Sequence, residues 1–203
     1  MKYYLEDYHN SSLDYLTENK LYKPLGANFT TYNPLNKFTP EQIAPTEEDK
    51  LWRRQLVQGY VHDQGAAMQG GIGGHAGLFS NANDVAKIMQ MYLNGGNYGG
   101  VRYFEPGTIE KFNTCYYCEN NVRRGVGFDK PQLGKSGPTC GCVSLSSFGH
   151  TGFTGTLAWA DPEEEIVYIF LSNRTNPDVD NRKLIQENIR EKIQQVIYDS
   201  IEF

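Results

Sequence analysis

No run in these 203 residues approaches the roughly 20 consecutive apolar side chains that a bilayer-spanning helix needs, so no transmembrane segment is expected. Basic residues are too scattered to form a stripe. Nineteen Lys and Arg stand against 24 Asp and Glu, for a formal charge of -5 and a pI near 5.4, which argues against nucleic acid as a partner. Internal repeats and low-complexity linkers are absent, and no motif calls for a cofactor. The N-terminus, Met1-Lys2-Tyr3-Tyr4-Leu5, has no signal-peptide h-region and runs straight into a helical pattern; the expectation is a leader upstream of this sequence rather than a cytoplasmic protein. What is present is a soluble, globular composition, 39% hydrophobic and 21% charged, with 14 tyrosines and 21 glycines. That length suits one domain, or most of one.

The first part reads as helix and loop. Tyr4, Leu5, Tyr8, Leu13 and Leu16 fall at helical spacing, interrupted by Asn10-Ser11-Ser12, which can cap a second helix. Leu21 to Pro45 holds four prolines and little periodicity. Thr46-Glu47-Glu48-Asp49 resembles a capped helix start with acids at its positive end. Six glycines crowd residues 65–77, after which Ser80 or Asn81 can cap a helix with Val85, Ile88, Met89 and Tyr92 on its apolar face. Glu105-Pro106 opens a short helix, Thr108 to Phe112.

The last third changes character. Gly125 to Phe128 is a candidate strand. Phe153 to Ala160 and Ile166 to Ser172 are rich in aromatic and β-branched residues, separated by the charged turn Asp161 to Glu165, and predict an antiparallel hairpin. Asp180 to Ile201 predicts an amphipathic helix with Leu184, Ile185, Ile189, Ile193, Val196 and Ile197 on one face. The fold class is therefore α+β, an antiparallel sheet flanked by helices, with residues 1–120 mainly helix and loop and 121–203 carrying strands and the C-terminal helix.

Cys115, Cys118, Cys140 and Cys142 form a C-x2-C and a C-x-C pair. They read as disulfides, as free thiols, or as a zinc site, although C-x-C departs from the usual zinc knuckle.

The sharpest local feature is Ser147-Phe148-Gly149-His150-Thr151-Gly152-Phe153, where glycines leave backbone open beside a histidine and a hydroxyl. A strand edge of this kind offers N–H groups to an anion or a developing oxyanion. A three-residue motif also recurs by chance, and a glycine-rich strand with a packing histidine would explain it. His62-Asp63 and His75 sit in the Gly-rich segment and read either as substrate contacts or as loop organisers. Arg124 reads as a carboxylate-binding group or as a solvated surface charge.

His150-Thr151-Gly152, followed by an aromatic-rich hairpin and a terminal helix, resembles the Lys/His-Thr-Gly box of the serine β-lactamase and penicillin-binding protein family, including class C β-lactamases, DD-peptidases and related esterases. Pro24-Leu25-Gly26 with Thr30-Thr31, Gly59-Tyr60-Val61-His62-Asp63, Ala76-Gly77-Leu78-Phe79-Ser80 with Asp84, and Gly125-Val126-Gly127-Phe128 resemble further family segments in the same order. The resemblance implies that His150, Thr151, Gly152 and the Phe153 N–H line one wall of an acyl-transfer site, with a small-molecule or peptidoglycan-type substrate and an extracytoplasmic location, periplasmic or otherwise. It also implies a Ser-x-x-Lys nucleophile, and none occurs in this sequence. Thr17-Glu18-Asn19-Lys20 and Thr108-Ile109-Glu110-Lys111 have the spacing with threonine but lie in the wrong order. Tyr92-Leu93-Asn94 mimics the family's Tyr-x-Asn loop at the wrong place. The chain therefore reads as the C-terminal part of such a hydrolase, inactive alone, with self-association expected from exposed apolar faces and strand edges. The competing readings are a non-catalytic binding module and a zinc-stabilised structural module.

Overall fold

A computed structural model describes residues 1–120, 122–132 and 137–201, which divide into two compact units. The first comprises residues 1–85 and 173–181; the second comprises 86–172 and 182–203.

The first unit opens with helix α1 (Lys2–His9) and helix α2 (Leu13–Thr17), separated where Asn10 adopts a left-handed conformation, and α2 runs on into a π-helical turn over Glu18–Tyr22. Strand β1 (Thr31–Tyr32) follows. The segment expected to start a helix at Thr46 is instead strand β2 (Glu47–Asp49), paired antiparallel with β3 (Gln55–Val57). The reason lies in the partners available: Thr46 N–H donates to Val57 O at 2.8 Å. The Asp49 carboxylate then accepts from the Leu51, Trp52 and Arg53 N–H groups, so the acid caps the turn between strands. Those bonds hold its carboxyl below the usual range. Helix α3 (Gln64–Met68) is capped by Asp63, and β4 (Leu78–Phe79) pairs with β1. Residues 173–181 complete this unit: Thr175 is fully buried and donates to Thr46 O at 2.7 Å, and Asn173 Nδ2 reaches Pro45 O at 2.9 Å.

Helix α4 (Ala82–Leu93) is capped as expected, with Asp84 N–H donating to Asn81 Oδ1 at 2.8 Å. In the second unit come the ribbon β5 (Asn97–Tyr98) and β6 (Val101–Arg102), helix α5 (Thr108–Asn113), and a three-stranded antiparallel sheet. The sheet contains β7 (Phe148–Thr151), β8 (Leu157–Asp161) and β9 (Ile166–Phe170), in that spatial order. The expected strand beginning at Phe153 starts only at Leu157. Residues 152–156 close a turn, Gly152 N–H to Thr156 O at 2.9 Å and Gly155 N–H to Gly152 O at 3.0 Å. The expected strand Gly125–Phe128 is also a turn, since Gly127 sits at φ +100 and Gly125 N–H donates to Phe128 O. Leu157, Trp159 and Tyr168 form the core on one sheet face, packed with Val143, Ile166, Phe170 and Ile197. Each such side chain contributes about 1.5–3 kcal/mol on burial.

The expected C-terminal helix is broken into α6 (Lys183–Gln186) and α7 (Ile189–Asp199) by Asn188, which is left-handed. Its buried face also differs from expectation. Arg190, Gln194 and Tyr198, one turn apart, are buried, whereas Ile185, Ile189, Ile193 and Val196 are exposed. Polar bonds accompany this face, although Gln194 Nε2 and Arg190 Nε stay buried without a partner among the described residues. Tyr198 OH donates to Asp161 Oδ2 at 2.7 Å, Gln194 Oε1 accepts from Cys140 N–H at 3.1 Å, and Arg190 reaches Thr156 O at 3.3 Å.

Candidate active site

The second unit places the His-Thr-Gly triplet at the margin of its sheet. Among the described residues, β7 has β8 on one side and only Asp129 on the other. Asp129 and Gly149 exchange both backbone bonds, Asp129 N–H to Gly149 O at 2.8 Å and Gly149 N–H to Asp129 O at 3.1 Å. Backbone groups alternate sides along a strand, so Thr151 N–H faces the same outer side as Gly149 N–H. Gly149 is required there, because a Cβ would lie 2.3 Å from Ala158 O and 2.4 Å from the Trp159 ring. The close packing of β7 on Trp159 thus fixes where His150 and Thr151 stand. Phe153 is 62% exposed at the head of the following turn.

The His150 ring is half-exposed. Its Nδ1 lies 2.6 Å from Thr151 O, and its Nε2 lies 3.8 Å from Asp129 Oδ2. Arg124 Nη2 binds the other oxygen of the same carboxylate at 2.6 Å. Arg124 is therefore brought to the triplet through Asp129, which sequence reasoning did not single out. Lys130 was missed as well. It is buried, with Nζ donating to Ser146 O at 2.7 Å and Asn113 Oδ1 at 3.1 Å and lying over the Phe148 ring. Burial, aided by Arg123 and opposed by Asp161, pushes its ammonium down to about 8. The only sequence signal for either residue was a charged pair directly after Phe128. Tyr92, set aside as a mimic, is packed against Phe104 and Phe128, and burial raises its phenol.

His62 and His75 belong to the first unit, each on a carboxylate. His62 Nε2 lies 2.5 Å from Glu47 Oε2, tying the Gly-rich segment's approach to β2. His75 Nε2 lies 3.0 Å from Asp63 Oδ1, the same oxygen that accepts the Ala66 N–H at the start of α3. The Ala66 bond and His75 together hold the Asp63 carboxyl below its usual range against the effect of burial. Both pairs join segments within the first unit. The four cysteines close as neighbours, Cys115 with Cys118 and Cys140 with Cys142, which leaves no thiolate for zinc. Among the described residues no group of three or more His, Cys, Asp or Glu is placed to hold a metal, and no helix is long and apolar enough to cross a membrane.

A family model described as Beta-lactamase matches residues 3–190. Among curated relatives, the chain is 39% identical over 185 residues to a protein of Salmonella agona named "Putative D-alanyl-D-alanine carboxypeptidase", and 38% identical to one of the same name from Salmonella enteritidis. In both cases the match covers 85% of this chain and 42% of the relative, so the chain spans less than half the length of the curated relatives it matches. Among solved structures it is similar to simvastatin synthase from Aspergillus terreus, with a TM-score of 0.66 at 13% identity over 99% of this chain and 54% of that one. A β-lactamase from Mycobacterium bovis gives 0.61 at 17% identity, over 97% and 60%. At those identities the likeness shows the fold alone: helices with small antiparallel sheets, in a β-lactamase-like arrangement.

Proposed function

The chain belongs to the beta-lactamase family, and on that premise we propose that it supplies one wall of an acyl-transfer site acting on a β-lactam, D-alanyl-peptide or ester substrate. The observation that carries the proposal is the outer margin of β7, where His150 and the outward-facing Thr151 N–H stand side by side, held by the Gly149–Trp159 packing. A substrate carboxylate or carbonyl laid along this margin accepts hydrogen bonds from Thr151 and His150. The Phe153 N–H is the proposed donor to the oxyanion of the tetrahedral intermediate. The nucleophile is a serine outside these 203 residues, because no Ser-x-x-Lys occurs in them. The 39% identity to relatives named as carboxypeptidases supports the hydrolase reading and, with it, an extracytoplasmic location.

Alone, the chain is expected to turn over neither nitrocefin nor p-nitrophenyl acetate, since losing the nucleophile of such a unit removes about 10⁶ in kcat. In a protein that supplies the serine, His150→Ala should lower kcat/KM by about 10²-fold. Clear turnover by the 203-residue chain, or an unchanged kcat/KM in the His150 variant, would refute the proposal.

A further inference from the structure

The turn that carries the Phe153 N–H is closed on one carbonyl. Thr156 O accepts from Gly152 N–H at 2.9 Å and from Arg190 Nη1 at 3.3 Å. Inside the turn Gly155 N–H donates to Gly152 O at 3.0 Å. A Cβ on Gly152 would lie 2.1 Å from Thr156 Oγ1, so the two ends of the turn stand in close contact. The bond from Gly152 is local to the hairpin. The bond from Arg190 comes from α7, 34 residues further along the chain.

Local rules do not favour an arginine at this place. Arg190 is buried in the first turn of α7, where the positive end of the helix dipole opposes a cation. Its Nε is buried with no hydrogen-bond partner among the described residues, and the Glu191 carboxylate stands 3.8 Å from Nη2. A buried guanidinium paired this loosely contributes little to stability by itself. Its backbone is nevertheless fixed, because Tyr168 OH on β9 donates to Arg190 O at 3.1 Å. The start of α7 is thereby braced on the sheet, and the guanidinium reaches Thr156 O from a rigid support.

We propose that Arg190 is a positioning residue for the oxyanion donor: from α7 it holds the Thr156 carbonyl, and through it the Gly152–Phe153 peptide whose N–H is the donor. The inference rests on reading the Phe153 N–H in that role. Gly152 is bonded on both sides, its N–H to Thr156 O and its carbonyl to Gly155 N–H, and that carbonyl shares a peptide plane with the Phe153 N–H. Glycine gives this peptide backbone freedom, so its orientation depends on those bonds. Oxyanion stabilisation requires donors fixed before the charge develops, and a displacement of about 1 Å lowers the rate by about 10²-fold.

The test compares the unsubstituted protein with Arg190→Met and Arg190→Lys. In the 203-residue chain, amide hydrogen exchange followed by NMR should show the Gly152 N–H losing about two- to tenfold in protection in Arg190→Met, with the β8 and β9 amides unchanged. In a protein that supplies the serine, kcat for p-nitrophenyl acetate should fall by about 10- to 100-fold while KM moves less than about twofold, because the donor acts on the transition state. Arg190→Lys keeps the charge and loses the planar fork, so it should lie between the two in both measurements. Gly152 protection that falls no more than that of the sheet amides, or an unchanged kcat, would overturn the proposal. Should Arg190→Met disturb the sheet, Arg190→Lys decides: Gly152 protection and kcat equal to those of the unsubstituted protein overturn it as well. No substrate enters the exchange measurement, so its failure is separate from a kinetic failure of His150→Ala.

Discussion

Tyr198→Phe tests how the terminal helix is held to the sheet. Asp161, at the end of β8, is fully buried, and its carboxylate accepts from Tyr198 OH at 2.7 Å, from Ser144 N–H at 2.8 Å, and from the Ser144 hydroxyl. Burial by itself would raise this carboxyl, but the Ser144 and Tyr198 bonds outweigh it and hold the group below its ordinary value. The same contact works in reverse on Tyr198, where burial and then the carboxylate push the phenol well above its usual range. Removing the hydroxyl deletes one bond to a buried ionised group and leaves the two from Ser144 and the one from the Glu163 N–H, so the loss should be about 1.5–3 kcal/mol at pH 7. For a chain of this size that lowers the melting temperature by about 3–12 °C. The pH dependence follows from linkage. Because the folded carboxyl lies below the unfolded one, its stabilisation is present above the unfolded value near 3.9 and is lost as pH falls through the lower folded value. With Tyr198→Phe the folded value rises, so acid unfolding should begin at a higher pH. Urea titrations followed by tryptophan fluorescence between pH 2.5 and 7 report both effects. A loss below about 0.5 kcal/mol with an unmoved acid limb would refute the reasoning.

Gly149→Ala forces a Cβ against Ala158 O and the buried Trp159 ring, so it should destabilise by about 1–3 kcal/mol and shift the His150 resonances, checked by thermal melts and NMR. Lys130 is held at about 8, below its unfolded value of 10.5, so the unfolded chain binds the extra proton between those limits and stability from this group rises with pH across them. In Lys130→Met that alkaline rise should vanish from the urea titrations. The exposed stripe Ile185, Ile189, Ile193 and Val196 is expected to drive self-association. Light scattering should show a lower mass for an Ile193→Glu/Val196→Glu variant, and a monodisperse monomer of the unsubstituted chain would refute this.

The elements legible in the sequence were those set by local rules. Helix α4 follows from an Asn cap and apolar residues at helical spacing, and the break after His9 follows from Asn10-Ser11-Ser12. The α+β class and the His150-Thr151-Gly152 motif follow from the order of residue patterns along the chain, because local spacing and residue type are all they require. Where a segment's hydrogen-bond partners lay far along the chain, the sequence misled. Glu47–Asp49 looks like a helix start but becomes a strand once Val57 and Gln55 are beside it.

The site divides the same way. Residue type alone marked His150 and Arg124 as chemical groups. Which carboxylate joins those two groups was decided only by the pairing of Asp129 with Gly149, a contact across 20 residues of chain that leaves no periodic trace. The buried face of α7 was likewise decided in three dimensions. Its hydrophobic pattern pointed to the isoleucines, yet Tyr198, Gln194 and Arg190 turn inward to meet Asp161, Cys140 and Thr156, partners that lie 34 to 54 residues away along the chain.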